Sequence, residues 1–385
     1  MNIFTTSWGD LGLTRWPEDP RDQLRAWDAS DEYLLRHLEG QDLSGTVVVL
    51  GDRWGALVTA LAGHRPAQIT DSWLAQQATR ANLARNRKPA EAGAVRLLST
   101  QDTPPDRVDV LLVRVPKSLA LLEDQLRRLA PHLHADTLVV GTGMVTEIHT
   151  STLGLFERTI GPTTTSLAAK KARLIFCTPD PGLLGSAPAD DPWPRGYDLP
   201  EDIGVMSGRP VTNHAGIFCA ERLDIGTRFF LQHLPRRRGP VRVVDLGCGN
   251  GVVGTAMAVA DPEADVVFTD ESFQAVASAE ATFRANAGPA AKAEFLVGDG
   301  LSGMERESVD LVLNNPPFHS HRALTDSTSW RMFTGSRAAL RPGGELWVIG
   351  NRHLGYHVRL RRLFGNCETV ASNPKFVVLR AVKKH

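Results

Sequence analysis

Short apolar runs closed by glycine, aspartate or proline recur along this chain and set out its plan. Val241-Arg242-Val243-Val244-Asp245-Leu246, Asp265-Val266-Val267-Phe268-Thr269, Glu294-Phe295-Leu296-Val297 and Val309-Asp310-Leu311-Val312-Leu313 each read as a buried strand. The first runs into Gly247-Cys248-Gly249-Asn250-Gly251 and then a helical stretch from Val252 onward. That order of strand, loop and helix belongs to a parallel α/β sheet. Four strand ends then bring the glycine loop, Asp270, Asp299 and a proline-rich loop to one crevice at the carboxyl edge of the sheet.

The pattern occurs twice. Val47-Val48-Val49-Leu50-Gly51-Asp52-Arg53-Trp54-Gly55 lines up with Val243 through Gly251, Asp71 answers to Asp270, and Val108 through Pro116 answers to Val309 through Pro317. The stretches Gly161 to Phe176 and Gly365 to Val378 also run in parallel. The first copy lacks the chemical residues of the second. Val49 stands where the second copy has Asp245, Arg53 replaces a loop glycine, Arg114-Val115 replaces Asn315-Pro316, and Trp54 adds bulk where a ligand would sit. A chain of 385 residues is long enough for two domains, each burying its own core. The stretch rich in Pro, Gly and Asp from Thr178 to Pro200 reads as the joint, which divides the chain into a domain over 1–180, a linker over 181–200 and a domain over 201–385.

The second copy reads as a ligand site. Glycines at alternate positions, Gly247, Gly249 and Gly251, permit φ > 0 and let backbone approach a ligand closely around Asn250. The Asp270 carboxylate can accept both hydroxyls of a ribose, and Asp299 is well placed for an adenine amine. Gly249 to Gly254 also matches the dinucleotide fingerprint G-x-G-x-x-G, with Asp270 about twenty residues on. Nicotinamide binding, however, leaves Asp245, Asp299 and the loop after the fourth strand without a role. S-adenosylmethionine accounts for all of them.

That loop is Asn315-Pro316-Pro317-Phe318. An exocyclic amine on a base has its lone pair delocalised and is a poor nucleophile, so two acceptors must hold its hydrogens and turn the lone pair toward a methyl group. The Asn315 side-chain oxygen and the Pro316 carbonyl can do this, on a backbone that consecutive prolines preset. Phe318 offers a face for a planar group extruded from a helix. Fixed acceptors and orientation supply the acceleration, without a dedicated general base.

Beyond this core, Asn315-Pro316-Pro317-Phe318-His319, Ala323-Leu324-Thr325-Asp326, Gly350-Asn351-Arg352-His353-Leu354, Phe364-Gly365-Asn366-Cys367 and Asn373-Pro374-Lys375-Phe376 together resemble the bacterial ribosomal RNA guanine-N2 methyltransferases. Within that family the chain is most similar to the large-subunit enzymes, with the small-subunit enzymes as close relatives. The resemblance is nearly continuous over the C-terminal half and much fainter before about residue 200. It implies an α/β fold of two tandem Rossmann-like class I methyltransferase domains, the N-terminal copy degenerate and serving as scaffold or RNA guide. It implies transfer of a methyl group from S-adenosylmethionine to the N2 amine of a ribosomal RNA guanine, with Asn315, Pro316, Pro317 and Phe318 as the catalytic loop. The donor is expected to bind at Asp224 and Gly226, which sit in a family-like helix entrance Leu223-Asp224-Ile225-Gly226-Thr227, together with Asp245, Gly247, Gly249, Asn250, Gly251, Asp270, Asp299 and Asn315. Phe318, His319, Asp326 and Arg352 are expected on the substrate side.

Charge changes the picture only locally. Lys plus Arg equals Asp plus Glu at 43 each, so no net attraction to nucleic acid exists. Yet Arg236-Arg237-Arg238 precedes the second domain, and Arg352, Arg359, Arg361, Arg362, Lys375, Arg380, Lys383 and Lys384 crowd its end, with Glu368 the only acid after Glu345. Phosphate attraction needs only such a face. His319 with His321, and His353 with His357, suggest metal spacing, but no Cys or carboxylate completes a set, and methyl transfer from a sulfonium needs no Lewis acid, so no metal is expected. Cys177, Cys219, Cys248 and Cys367 lack metal-ligand or redox spacing, and no signal peptide or bilayer-spanning run is apparent, which points to the cytoplasm with no membrane partner; a monomer is expected, although the sequence does not fix the oligomeric state. The same tetrapeptide serves protein-glutamine and DNA-adenine methyltransferases, and an RNA-binding assembly factor is the alternative outside enzymes.

Overall fold

The structure, a computed structural model, describes residues 2–19, 22–184, 192–236, 239–317 and 322–384, and for 322–326 it describes the backbone only. The chain divides into two compact units, Met1–Pro192 and Trp193–His385.

The first unit opens with a hairpin, β1 (Asn2–Thr6) and β2 (Gly9–Leu13), followed by helix α1 (Ala29–Leu38). Strands β3 (Val47–Leu50), β4 (Ala67–Thr70), β5 (Arg96–Ser99), β6 (Val110–Arg114), β7 (Leu138–Met144), β8 (Thr163–Thr165) and β9 (Ala172–Cys177) form one sheet in the order β5-β4-β3-β6-β7-β9-β8. Its first five members are parallel, and β9 runs antiparallel to β7 and β8. Helices α2 (Ala56–Ala60), α3 (Trp73–Asn86), α4 (Pro89–Ala94), α5 (Leu119–Leu129) and α6 (Thr150–Thr159) complete the unit. The apolar run of β3 follows from this burial on both faces: Val47 and Val49 enter one core cluster, and Val48 and Leu50 enter the other.

The second unit repeats this order, except that no helix among the described residues answers to α4. Hairpin β10 (Arg195–Asp198) and β11 (Pro210–Asn213) leads to α7 (Ile225–Leu231). Strands β12 (Arg242–Leu246), β13 (Asp265–Asp270), β14 (Lys292–Val297), β15 (Val309–Asn314), β16 (Leu340–Asn351), β17 (Glu368–Ser372) and β18 (Phe376–Val382) then form a sheet ordered β14-β13-β12-β15-β16-β18-β17. With them come α8 (Val252–Ala260), α9 (Phe273–Asn286), α10 (Arg322–Ala339) and α11 (Tyr356–Phe364). The tandem α/β plan inferred from the sequence is therefore present, and it extends upstream to the hairpins and to α1 and α7, where the sequence similarity is too faint to follow. One strand departs from expectation. Residues 294–297 belong to the longer edge strand β14, whose burial alternates and leaves Leu296 41% exposed, so only one of its faces is covered.

Register corrects the alignment of the copies at one acid. Gly51 N donates to the Ile69 carbonyl as Gly247 N donates to the Thr269 carbonyl. Thr70, not Asp71, therefore occupies the place of Asp270. Asp71 instead lies opposite Glu271 in the alignment, and its Oδ1 accepts from Thr100 Oγ1 at 3.1 Å.

Among the described residues no helix is long and apolar enough to cross a membrane, no group of three or more His, Cys, Asp or Glu could hold a metal ion, and the four cysteines are unpaired. His353 and His357 are both exposed. His319 and His321 lie outside the described residues.

Candidate active site

The parallel strands β13, β12 and β15 deliver their carboxyl ends side by side. Between β12 and α8 the chain turns on Gly247, Gly249 and Gly251, with φ of 72°, 53° and 73°. These glycines do different things. A Cβ on Gly251 would lie 2.6 Å from Ala279 Cα, so this glycine lets α8 pack on α9. A Cβ on Gly249 meets nothing within 4 Å, which makes it the loop glycine beside open space. Gly254 carries the close approach of α8 to β13, since a Cβ there would sit 2.5 Å from the Phe268 ring.

The acids hold this loop. Asp245 is 4% exposed and accepts from Gly254 N at 2.8 Å. Burial, with a smaller push from the Asp270 charge, raises its carboxyl to about 7, against the pull of that hydrogen bond. Asp270 accepts from Gly249 N at 3.1 Å and from Ser272 N at 3.1 Å, and burial raises its carboxyl too. Asn250, expected at the donor, sends its Nδ2 to Asn213 Oδ1 at 3.0 Å and so ties the loop to β11. Asp299 is engaged by the Arg331 guanidinium from α10, a partner no sequence pattern announced.

At the exit of β15, Asn314 Nδ2 donates to the Leu246 carbonyl at 2.8 Å and clamps the strand end. Asn315 Nδ2 donates to Thr227 Oγ1 at 3.0 Å, while Asn315 Oδ1 is shut from solvent with no partner among the described residues. Thr227 stands in the first turn of α7, capped by Asp224, whose Oδ2 accepts from Thr227 N at 2.9 Å and from Thr227 Oγ1 at 3.3 Å. Pro316 is buried and Pro317 exposed. Thr227 received no role from the sequence, although a capping residue three positions earlier is a readable signal. Gly226, expected at the donor, has its own packing reason: a Cβ there would lie 3.2 Å from the Phe376 ring. Arg352 is exposed, and its Nη1 reaches the Asn373 carbonyl at 3.4 Å, so two of the family-like stretches meet each other. Phe318 and His319 lie outside the described residues, as does the side chain of Asp326.

The equivalent place in the first unit is filled. Arg114, the last residue of β6 and in the register place of Asn315, is 1% exposed and meets Asp28 at 2.6 Å, Glu147 at 2.9 Å and Asp31 at 3.5 Å. Arg53, in the place of Gly249, joins Glu147 at 2.6 Å and Asp28 at 3.5 Å. Burial raises Asp31 to about 7 despite Arg114, whereas for Glu147 the Arg114 and Arg53 guanidinia outweigh burial and hold it at about 2. Trp54, expected to add bulk there, packs against the apolar cluster with the Arg15 guanidinium 5.0 Å above its ring.

The basic end of the chain is smaller than its sequence suggested. Arg380 pairs with Glu345 at 2.6 Å and Glu368 at 2.9 Å, and Lys383 with Glu307 at 3.0 Å and the Leu340 carbonyl at 2.7 Å. Arg361 and Arg362 remain exposed on α11, with no ion pair among the described residues. Arg237 and Arg238 lie outside those residues.

Comparison with known proteins adds to this geometry. A family model described as "RLMG N-terminal domain" matches residues 1–181, and one described as "Methyltransferase small domain" matches 208–380. The chain is 72% identical to the ribosomal RNA large subunit methyltransferase G of Streptomyces avermitilis over 99% of both chains. It is 73% identical to that of Streptomyces coelicolor over 99% of this chain and 100% of the relative, and 46% identical to that of Stutzerimonas stutzeri over 100% of both. A T. thermophilus 16S rRNA N2 methyltransferase (RsmC), solved in complex with AdoMet and guanosine, shares the fold with a TM-score of 0.78 at 19% identity, over 100% of this chain and 98% of that one.

Proposed function

We infer that this chain, which belongs to the ribosomal RNA large subunit methyltransferase G family, transfers a methyl group from S-adenosylmethionine to the exocyclic N2 amine of a guanine in large-subunit ribosomal RNA. The observation that carries the site assignment is the Asn315 Oδ1, a buried acceptor with no partner among the described residues, at the exit of β15. An acceptor left so costs about 1–3 kcal/mol, which a ligand donor would recover.

The residues fit the donor. Open space at Gly249 and the anchored Asp270 beside it suit a ligand laid across the strand ends. Gly247 to Gly251, Asp270 and Asp299 would hold it, with Asp245 and Asn250 keeping the loop in shape. The donor supplies an electrophilic methyl group on a sulfonium. The protein's part is to orient the amine. Asn315 Oδ1 and the Pro316 carbonyl accept its two hydrogens, the Pro316-Pro317 frame fixes their directions, and Phe318 stacks the extruded base. His319, Asp326 and Arg352 complete the substrate side in this reading, and exposed Arg361 and Arg362 meet phosphates. The first unit acts as scaffold or RNA guide. In this reading the enzyme works in the cytoplasm, in keeping with its unpaired cysteines, and as a monomer.

The test is transfer of labelled methyl to large-subunit RNA from a strain lacking this protein, with N2-methylguanosine read by mass spectrometry. Asn315→Ala should lower the single-turnover rate on the order of a hundredfold with donor affinity little changed. Labelling of small-subunit RNA alone, or an unaltered rate in the variant, would contradict the substrate or the site respectively.

A further inference from the structure

We propose that Thr227 is a positioning residue: it relays from Asp224 to Asn315 and thereby decides which face of the Asn315 amide meets the reacting amine. The inference rests on the role assigned to Asn315 above. A carboxamide has a donor end and an acceptor end, and only the acceptor end can hold an amine hydrogen. Turned over, Asn315 would point an NH2 at an NH2, and the substrate would be repelled rather than aligned. Something must fix the amide, and Pro316 cannot, because it constrains backbone alone.

The fixing element is the Thr227 hydroxyl. The Asp224 carboxylate only accepts, so of the two partners open to the Thr227 hydroxyl proton, Asp224 Oδ2 at 3.3 Å and the Asn315 amide at 3.0 Å, the charged acceptor is the stronger. With its proton committed to Asp224, Thr227 Oγ1 presents a lone pair to Asn315. That lone pair selects the Nδ2 end. Oδ1 is then left toward the site, where it has no partner among the described residues. Asp224 is itself held by Thr227 N at 2.9 Å as the cap of α7, and Thr227 is 8% exposed, so water competes weakly for the relay.

The first unit supports the wiring independently. Its α1 is capped by Asp28, with Asp31 three residues on, as Asp224 precedes Thr227. There Arg114, in the place of Asn315, meets the same two positions, Asp28 and Asp31. In both copies the helix entrance aims the residue that leaves the fourth parallel strand. Only the chemistry on the three positions differs.

Thr227→Val keeps the shape and removes the hydroxyl. In the full chain, at saturating donor and RNA, it should slow single turnover about tenfold, as loss of one aligning hydrogen bond, while calorimetric donor affinity and thermal stability stay near wild type. Thr227→Ser should restore the rate. In an Asn315→Ala background, Thr227→Val should add no further loss, because the two act as one unit. A wild-type rate for Thr227→Val beside a slow Asn315→Ala would overturn the relay alone. A wild-type rate for Asn315→Ala would overturn the site and the relay together. Loss of donor affinity in Thr227→Val equal to its loss of rate would make Thr227 a donor-site residue and reject the positioning role.

Discussion

At the residue leaving the fourth parallel strand, the first unit carries Arg114 locked among Asp28, Asp31 and Glu147, and the second carries Asn315 with its oxygen unpartnered among the described residues. The two sheets have the same strand order, and the helices that follow β4 and β13 are each capped by a serine, Ser72 and Ser272. What differs is whether the polar groups at the strand ends satisfy one another or wait for something else. In the first unit Arg53 and Arg114 pair with three acids, and Val49 and Thr70 stand where the second unit has Asp245 and Asp270. A ligand site can thus be lost without loss of the fold, because core packing and strand register do not depend on the chemistry at the rim.

If the ion cluster is what now holds the first unit's strand ends, breaking it should have a large effect. Arg114→Ala leaves Asp28, Asp31 and Glu147 buried or half-buried without their main partner, and should cost about 3–5 kcal/mol. Hydrogen exchange in denaturant should show the loss in peptides of β6 and β7, and not in β15. Equal protection in mutant and wild type would mean that the arginine only fills space.

A smaller effect separates the acids within that cluster. Asp31 is raised from 3.8 to about 7, so the folded unit binds its proton more tightly than the unfolded chain does, and stability falls as pH rises across that window. Glu147 is lowered from 4.5 to about 2, so its contribution is present above 4.5 and is lost as pH falls toward 2. Asp31→Asn should therefore flatten the stability of the first unit between those upper limits, from pH 4.5 to 7, and leave its acid limb unchanged. A slope that persists in the variant would place the proton elsewhere.

Much of this was legible in the sequence, for reasons that can be located. Strands β12, β13 and β15 and the glycine loop were readable because burial on both faces demands uninterrupted apolar runs and the turn demands glycine. By contrast β14, an edge strand with one covered face, was longer than its apolar run. The loop proposed as catalytic could be singled out because Asn-Pro-Pro-Phe has few other uses. The relay through Thr227 and the capture of Asp299 by Arg331 were not, since each joins residues far apart in the chain that carry ordinary surface chemistry. The misplacement of Asp71 by one residue has a similar origin, because register is fixed by ladder hydrogen bonds that a run of β-branched residues does not specify. The basic face shrank because ion pairs such as Lys383 with Glu307 also depend on tertiary contact.

In the proposed reading one copy binds the donor and the other is sealed by its own arginines. Titration calorimetry of the full chain with S-adenosylmethionine tests it most directly when paired with Gly249→Arg, which puts into the second unit the residue that Arg53 supplies in the first. One donor per chain is expected for the wild type and none for the variant. Two donors in the wild type, or one retained in Gly249→Arg, would contradict it.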